Sequence, residues 1–101
     1  MNDLHEILTE FKKDFPQVYA DYEKLGKEIH LNSGPLSENT RWLLKVAISA
    51  ASHRLIALET HIIKAKNAGV TDEELKHALL MLIPTTGFPA FMEAYTVLKK
   101  I

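Results

Sequence analysis

The feature that most constrains this chain is the recurrence of apolar residues at three- and four-residue spacing along nearly its whole length, with no strand-like alternation. That period gathers apolar side chains on one side of a helix, so the sequence predicts an all-α fold. Leu4, Ile7, Leu8, Phe11 and Phe15 mark a first helix, for which Asn2 or Asp3 is a suitable cap. Pro16 suits the first turn of a second helix, with Val18, Tyr19, Tyr22, Leu25 and Ile29 on its apolar stripe and Gly26 as a weak point. Asn32-Ser33-Gly34-Pro35 is the clearest break. It is read as dividing an N-terminal helical pair, residues 1–31, from core helices over 36–101, all within one domain.

In the core, Ser37 is placed to cap a third helix over residues 38–52. Its polar residues Arg41, Lys45, Ser49 and Ser52 fall on one narrow stripe, and the remaining surface is apolar almost all round. A fourth helix covers 55–68, with Gly69 where a left-handed cap is wanted. Thr71-Asp72-Glu73-Glu74 reads as a capping box, so the fifth helix starts at Asp72 and runs on through the apolar stretch 78–83. The segment 84–89, with a proline at each end, interrupts it, and Pro89 opens a last helix with Phe91, Ala94, Tyr95 and Leu98 inward. Lys99 and Lys100 suit its negative end. Helices as apolar as the third and fifth are buried on several sides, which in so short a chain brings in another subunit.

Composition narrows the function. An apolar fraction of 47% with 25% charged residues is that of a globular protein. Twelve Lys and Arg against thirteen Asp and Glu leave no cationic excess for nucleic acid. A helix-turn-helix reading of the fourth and fifth helices fails, because Asp72-Glu73-Glu74 would meet the phosphates. The greasiest stretch, 43–58, is broken by Lys45, His53 and Arg54, so no membrane span is expected. The N-terminus lacks the pattern of a signal peptide, which makes the cytoplasm the expected location. With no cysteine there is no disulfide, thiolate metal ligand or thiol nucleophile.

Histidines are the groups that titrate near neutrality. His5 and His30 lie toward helix ends and are read as solvated; His77 shares an ordinary solvent face with Glu73 and Lys76. His53 and His61 are eight residues apart, about 12 Å along a helix, too far to share a metal ion, so none is expected. His61 sits at the edge of a small-residue face with Ala57, Leu58, Lys64 and Ala65. The residues by themselves favour an imidazole bonded to a backbone carbonyl over a functional group in a recess.

The run LSENTRWLLKVAISAAS, then LETHIIKAKNAGVTDEELKHALLMLIPTTGFPAFMEAYTVLKK, resembles the carboxymuconolactone decarboxylase family, which includes the alkylhydroperoxidase D-like proteins. Its most specific pieces are His61 with the AKNAGVTDEEL that follows it and Thr86-Gly87-Phe88-Pro89-Ala90 opening the last helix. The resemblance implies an all-α bundle of about six helices, assembling as trimers or hexamers through its central helices. The peroxidase branch carries Cys-x-x-Cys-x-x-x-His with an upstream Glu. Here Arg54 and Ala57 occupy the cysteine positions and Trp42 stands at about the glutamate position, leaving only His61. The decarboxylase branch, also without those cysteines, is the nearer match. It implies a cofactor-free decarboxylase or lactone-processing enzyme for a small carboxylated substrate. His61 would be general acid, Arg54 the anion clamp, Glu59 or His53 a second acid–base group, and Trp42 a pocket wall. The competing reading is a non-catalytic helical oligomer that binds a small molecule or a protein. Because hydroperoxide reduction by this family's route needs a thiolate, an assay with an added dithiol reductant is expected to show no peroxide consumption above the enzyme-free blank.

Overall fold

The computed structural model describes residues 4–101, with side chains from Glu6 onward; the proposed cap at Asn2 or Asp3 and the side chain of His5 lie outside the described residues. Among the described residues there is no strand. Seven helices follow in order: α1 (Leu4–Asp14), α2 (Pro16–Asn32), α3 (Glu38–Ala51), α4 (Leu55–Asn67), α5 (Asp72–Leu80), α6 (Ile83–Thr86) and α7 (Phe88–Lys99). The break at 33–35 divides them into two compact units, Met1–Pro35 and Leu36–Ile101.

In the first unit, α1 and α2 meet at Phe15, and helical hydrogen bonding runs through the joint (Phe15 N–H to Phe11 C=O 2.8 Å, Tyr19 N–H to Phe15 C=O 2.9 Å). The Phe11 ring lies 5.9 Å from Phe15 and 6.2 Å from Tyr19, a small aromatic cluster at the corner. The expected apolar stripe of α2 forms, yet no residue of this helix is buried, and Val18, Tyr22, Leu25 and Ile29 are all exposed. His30, expected to be solvated, is partly buried.

The second unit holds the core. Val46 of α3, Leu58 and Ile62 of α4, and Leu75 and Leu79 of α5 are fully buried, and Phe91, Ala94 and Leu98 of α7 close the cluster. Tyr95, one turn from Phe91, stacks on that ring at 5.3 Å. Local chemistry sets the helix limits. Ser37 Oγ accepts from Thr40 N–H at 3.3 Å to start α3. Gly69, at φ +98°, takes the left-handed step after α4 that a residue with a Cβ rarely adopts. The capping box forms in both directions: Glu74 N–H donates to Thr71 Oγ1 (3.1 Å) and Thr71 N–H to Glu74 Oε1 (2.8 Å).

One helix limit needs correction. Helix α5 stops at Leu80 rather than running on to Ile83. Pro84 has no N–H to give the Leu80 carbonyl, so the chain turns at Met81 and Leu82. It starts again as the single-turn α6, where Leu82 C=O collects the N–H groups of Thr85, Thr86 and Gly87. Within one copy α3 and α5 leave apolar residues bare: Leu44 is 44% exposed, Ile48 64%, Leu80 49% and Met81 60%. Thr71→Ala removes one half of the capping box and is expected to lower stability by about 1 kcal/mol, read as a lower urea midpoint with unchanged slope. Thr71→Ser should leave the midpoint near that of the parent.

Candidate functional site

Helix α4 brings His61 against α3. Leu58, Ile62 and Ala65 on α4 are fully buried, which fixes the rotation of that helix and leaves His61 at the edge of its packed face. Across from it stands Ser49, the one buried polar residue described, at 5% exposure. Ser49 Oγ and His61 Nδ1 are hydrogen-bonded at 2.7 Å. Two tautomers satisfy this pair. When the hydroxyl donates to Nδ1, the other ring nitrogen carries the proton; when Nδ1–H donates to the hydroxyl, the other nitrogen presents a lone pair.

This arrangement corrects the expectation for α3. Arg41, Lys45 and Ser49 do lie on one stripe at four-residue spacing. The Ser49 end of that stripe is buried against α4, while the apolar residues Leu44 and Ile48 are left bare. The Trp42 ring centroid is 6.3 Å from that of His61, and Lys45 Nζ lies 4.9 Å from the centre of the same indole, over its electron-rich face. Burial depresses the pKa of His61 below the usual imidazole value of 6.5, and the positive charges of Lys45 and Lys64 add to the effect. A backbone hydrogen bond with Lys45 works in the opposite direction. Lys45 is itself pushed down, first by burial and then by Lys64 and Arg41. The imidazole at rest is therefore neutral near pH 7, in surroundings that carry positive charge.

The other residues singled out from the sequence are dispersed. Arg54 is the exposed residue that precedes α4, with its side chain making no cap. It lies seven residues before His61, about 10 Å along the helix and on nearly the same face. Glu59 is exposed and two residues from His61, about 200° round the helix, so it points away from the imidazole. His53 stands in the turn between α3 and α4 with φ +58°, and its Nδ1 meets Glu93 Oε2 of α7 at 3.2 Å, with both side chains exposed. The structure thus brings Trp42 to His61 and turns Glu59 and His53 elsewhere. Ser49, which sequence reasoning passed over, is the residue it adds. Its signal was present, since a serine one turn beyond Lys45 on an otherwise apolar helix needs a partner if buried.

A groove of about 620 Å³ lies between α3 and α5, on another face of α3. Its walls are apolar, from Leu43, Leu44, Ala47, Ile48, Ala78 and Met81, and neither His61 nor Ser49 lines it. Its size does not make it the place for acid–base chemistry, because its rim offers only the exposed Glu74 and His77 as titratable groups. Among the described residues no group of three or more His, Asp or Glu is gathered that could hold a metal ion. None of the described helices is long and apolar enough to cross a membrane.

Comparison with known proteins identifies the family and the fold. The model of the carboxymuconolactone decarboxylase family matches residues 16–100. An uncharacterized protein of Methanocaldococcus jannaschii is 30% identical over 91 residues, covering 89% of this chain and 86% of that one. Among solved structures, the apo form of a carboxymuconolactone decarboxylase family protein from Legionella pneumophila superposes with a TM-score of 0.85 at 25% identity, over 96% of this chain and 86% of its own.

A group whose pKa is lower in the folded chain than in the unfolded one binds its proton more readily after unfolding. The stability tied to a neutral His61 is therefore present above about pH 6.5 and lost as the pH falls from there toward the folded value. Urea midpoints measured from pH 7.5 down to 5 are expected to decline more steeply in the parent than in His61→Asn, which has no such proton to take up. Parallel curves would mean that the imidazole is not held neutral.

Proposed function

This chain belongs to the carboxymuconolactone decarboxylase family, and on that footing we propose that it is a cofactor-free decarboxylase or lactone-processing enzyme for a small carboxylated substrate, with His61 as its acid–base group. The observation that carries the reading is the His61–Ser49 pair, 2.7 Å apart and partly buried between α3 and α4. Such a pair holds an imidazole in one orientation, which is what proton transfer at a fixed point requires.

The chemistry follows from the charges. Loss of carbon dioxide breaks a carbon–carbon bond and leaves its electron pair on carbon, to be delocalised into an adjacent carbonyl and then protonated. Burial and the neighbouring lysines favour a neutral His61. A bound carboxylate offsets those positive charges and favours the imidazolium, so the ring gains its proton when an anion is present. It then delivers that proton to the carbanion and recovers it from water. Trp42, whose ring is 6.3 Å from the imidazole, screens the pair on one side. Arg54, two turns back on the same side of α4, is the proposed first clamp for a substrate carboxylate. The absence of cysteine supports a reaction without thiols and suits a reducing cytoplasm.

The same reading takes the working form to be a homo-oligomer, a trimer or hexamer. The bare apolar residues on α3 and α5 and the groove between those helices support it, since one copy leaves them uncovered. They also support the second reading, a helical oligomer without catalysis, which differs in leaving His61 only a packing role. Light scattering should give the mass of three or six chains, and a panel of carboxylated lactones should release carbon dioxide with that assembly but not with His61→Asn at the same mass. A monomer would remove the assembly. Equal rates for parent and variant would take His61 out of the mechanism, and no turnover of any panel member would favour the non-catalytic form.

A further inference from the structure

Three cations are drawn to the seam between α3 and α4 with no carboxylate to meet them. Arg41 and Lys45 are one turn apart on α3, and Lys64 is three residues beyond His61 on α4. Lys45 feels both Arg41 and Lys64 as positive neighbours, and His61 feels Lys45 and Lys64. Elsewhere in the second unit, Lys66 and Lys76 share Asp72 at 3.7 and 3.3 Å. Among the described residues, no ion pair joins Arg41, Lys45 or Lys64 to an acid.

Such a grouping is costly in a folded chain. Charged side chains are seldom taken out of water unless they are paired, and like charges near one another raise the cost. Lys45 is nonetheless partly buried, its ammonium resting over Trp42 at 4.9 Å. Arg41 gives one guanidinium N–H to the Leu36 carbonyl at 2.8 Å, while its Nε is buried and has no partner in the protein. A buried guanidinium donor left open, in a cluster of one sign, is what a site for an anion looks like before the anion arrives.

We propose that Arg41, Lys45 and Lys64 form an anion-binding subsite beside His61, suited to a ligand that carries at least two negative charges as a phosphate or as paired carboxylates. Lys45 and Lys64 act on the neutral imidazole and Arg41 acts on Lys45, a grouping balanced poorly by a single carboxylate and well by a multivalent oxyanion. Arginine offers such a group its paired N–H donors, and the lysines act as point charges. The subsite moves the main recognition of charge from Arg54, exposed at the start of α4, to Lys45 and Lys64 beside the Ser49–His61 pair and to Arg41 one turn beyond Lys45. Its place in turnover rests on the catalytic reading of His61, but its affinity for anions does not.

The test is calorimetric titration of the intact protein with inorganic phosphate and, separately, with tricarballylate, with sodium chloride as the control. Saturable binding of one or both is expected, and which of them binds more tightly identifies the ligand as phosphate or carboxylate. Lys45→Gln and Lys64→Gln should each weaken it about tenfold, the usual loss for one charge-assisted contact. Lys66→Gln, already paired with Asp72, should bind as the parent does. Removing one of several like charges relieves repulsion, so the first two variants are expected to fold; unchanged circular dichroism and thermal midpoints verify this. His61→Asn should still bind the anion. Binding that survives in His61→Asn without turnover in the parent would end the catalytic reading and leave the subsite standing. Turnover that needs His61 but is indifferent to Lys45→Gln and Lys64→Gln would do the reverse. No saturable binding of either anion, or equal binding by all variants, overturns the subsite. So does a parent that binds neither anion while Lys45→Gln or Lys64→Gln changes its mass in solution, since a second copy's carboxylates would then be the partners of these cations.

Discussion

The packed face of α4 is the constraint on which the rest of the second unit depends. Leu58, Ile62 and Ala65 are spaced so that all three enter the core at once, and each is fully buried. Fully burying a leucine or isoleucine is worth about 1.5–3 kcal/mol, so rotating α4 enough to release them would cost more than any polar contact at its edge could return. The direction in which His61 points follows from that rotation. The imidazole is held against α3 because the aliphatic residues one turn to either side are committed elsewhere.

Once α4 is fixed, the polar pair sets the character of the seam. A buried serine without a partner is destabilising, and a partly buried imidazole prefers to be neutral; at 2.7 Å each answers the need of the other. Around that pair lie an indole and two lysines, with Arg41 next to Lys45, and the titration of both His61 and Lys45 is displaced in the direction that burial among positive charges requires. In the proposed mechanism these surroundings attract an anion, and the anion changes the protonation of the ring. Binding and proton supply are linked through one set of charges, without a metal or a thiol in the proposal.

Much of this fold was legible in the sequence because the signals were local. The capping box at Thr71 and Glu74, the serine cap at Ser37, the left-handed Gly69 and the proline starts of α2 and α7 each depend on a few neighbouring residues, and each is found where the spacing put it. The overrun of α5 had a local cause as well. The apolar stretch 78–83 drew the helix on past the point where Pro84 deprives Leu80 of its hydrogen-bond donor. The weak residues of the site were those chosen by nearness in the chain: Glu59 and His53 are close to His61 in number, and helix rotation or the strained turn carries them away from it.

By itself the sequence determined that the chain is helical, where most helices begin and end, and that it supplies no cysteine thiol of its own. Helical periodicity sorts residues into faces and goes no further, because it records angles about one axis. Which face of α3 meets α4 is a contact between residues twelve apart in the case of Ser49 and His61, decided by how several apolar surfaces pack at once. Only the tertiary structure could therefore turn a polar stripe inward, give the imidazole its serine, and draw Arg41, Lys45 and Lys64 together at the same seam.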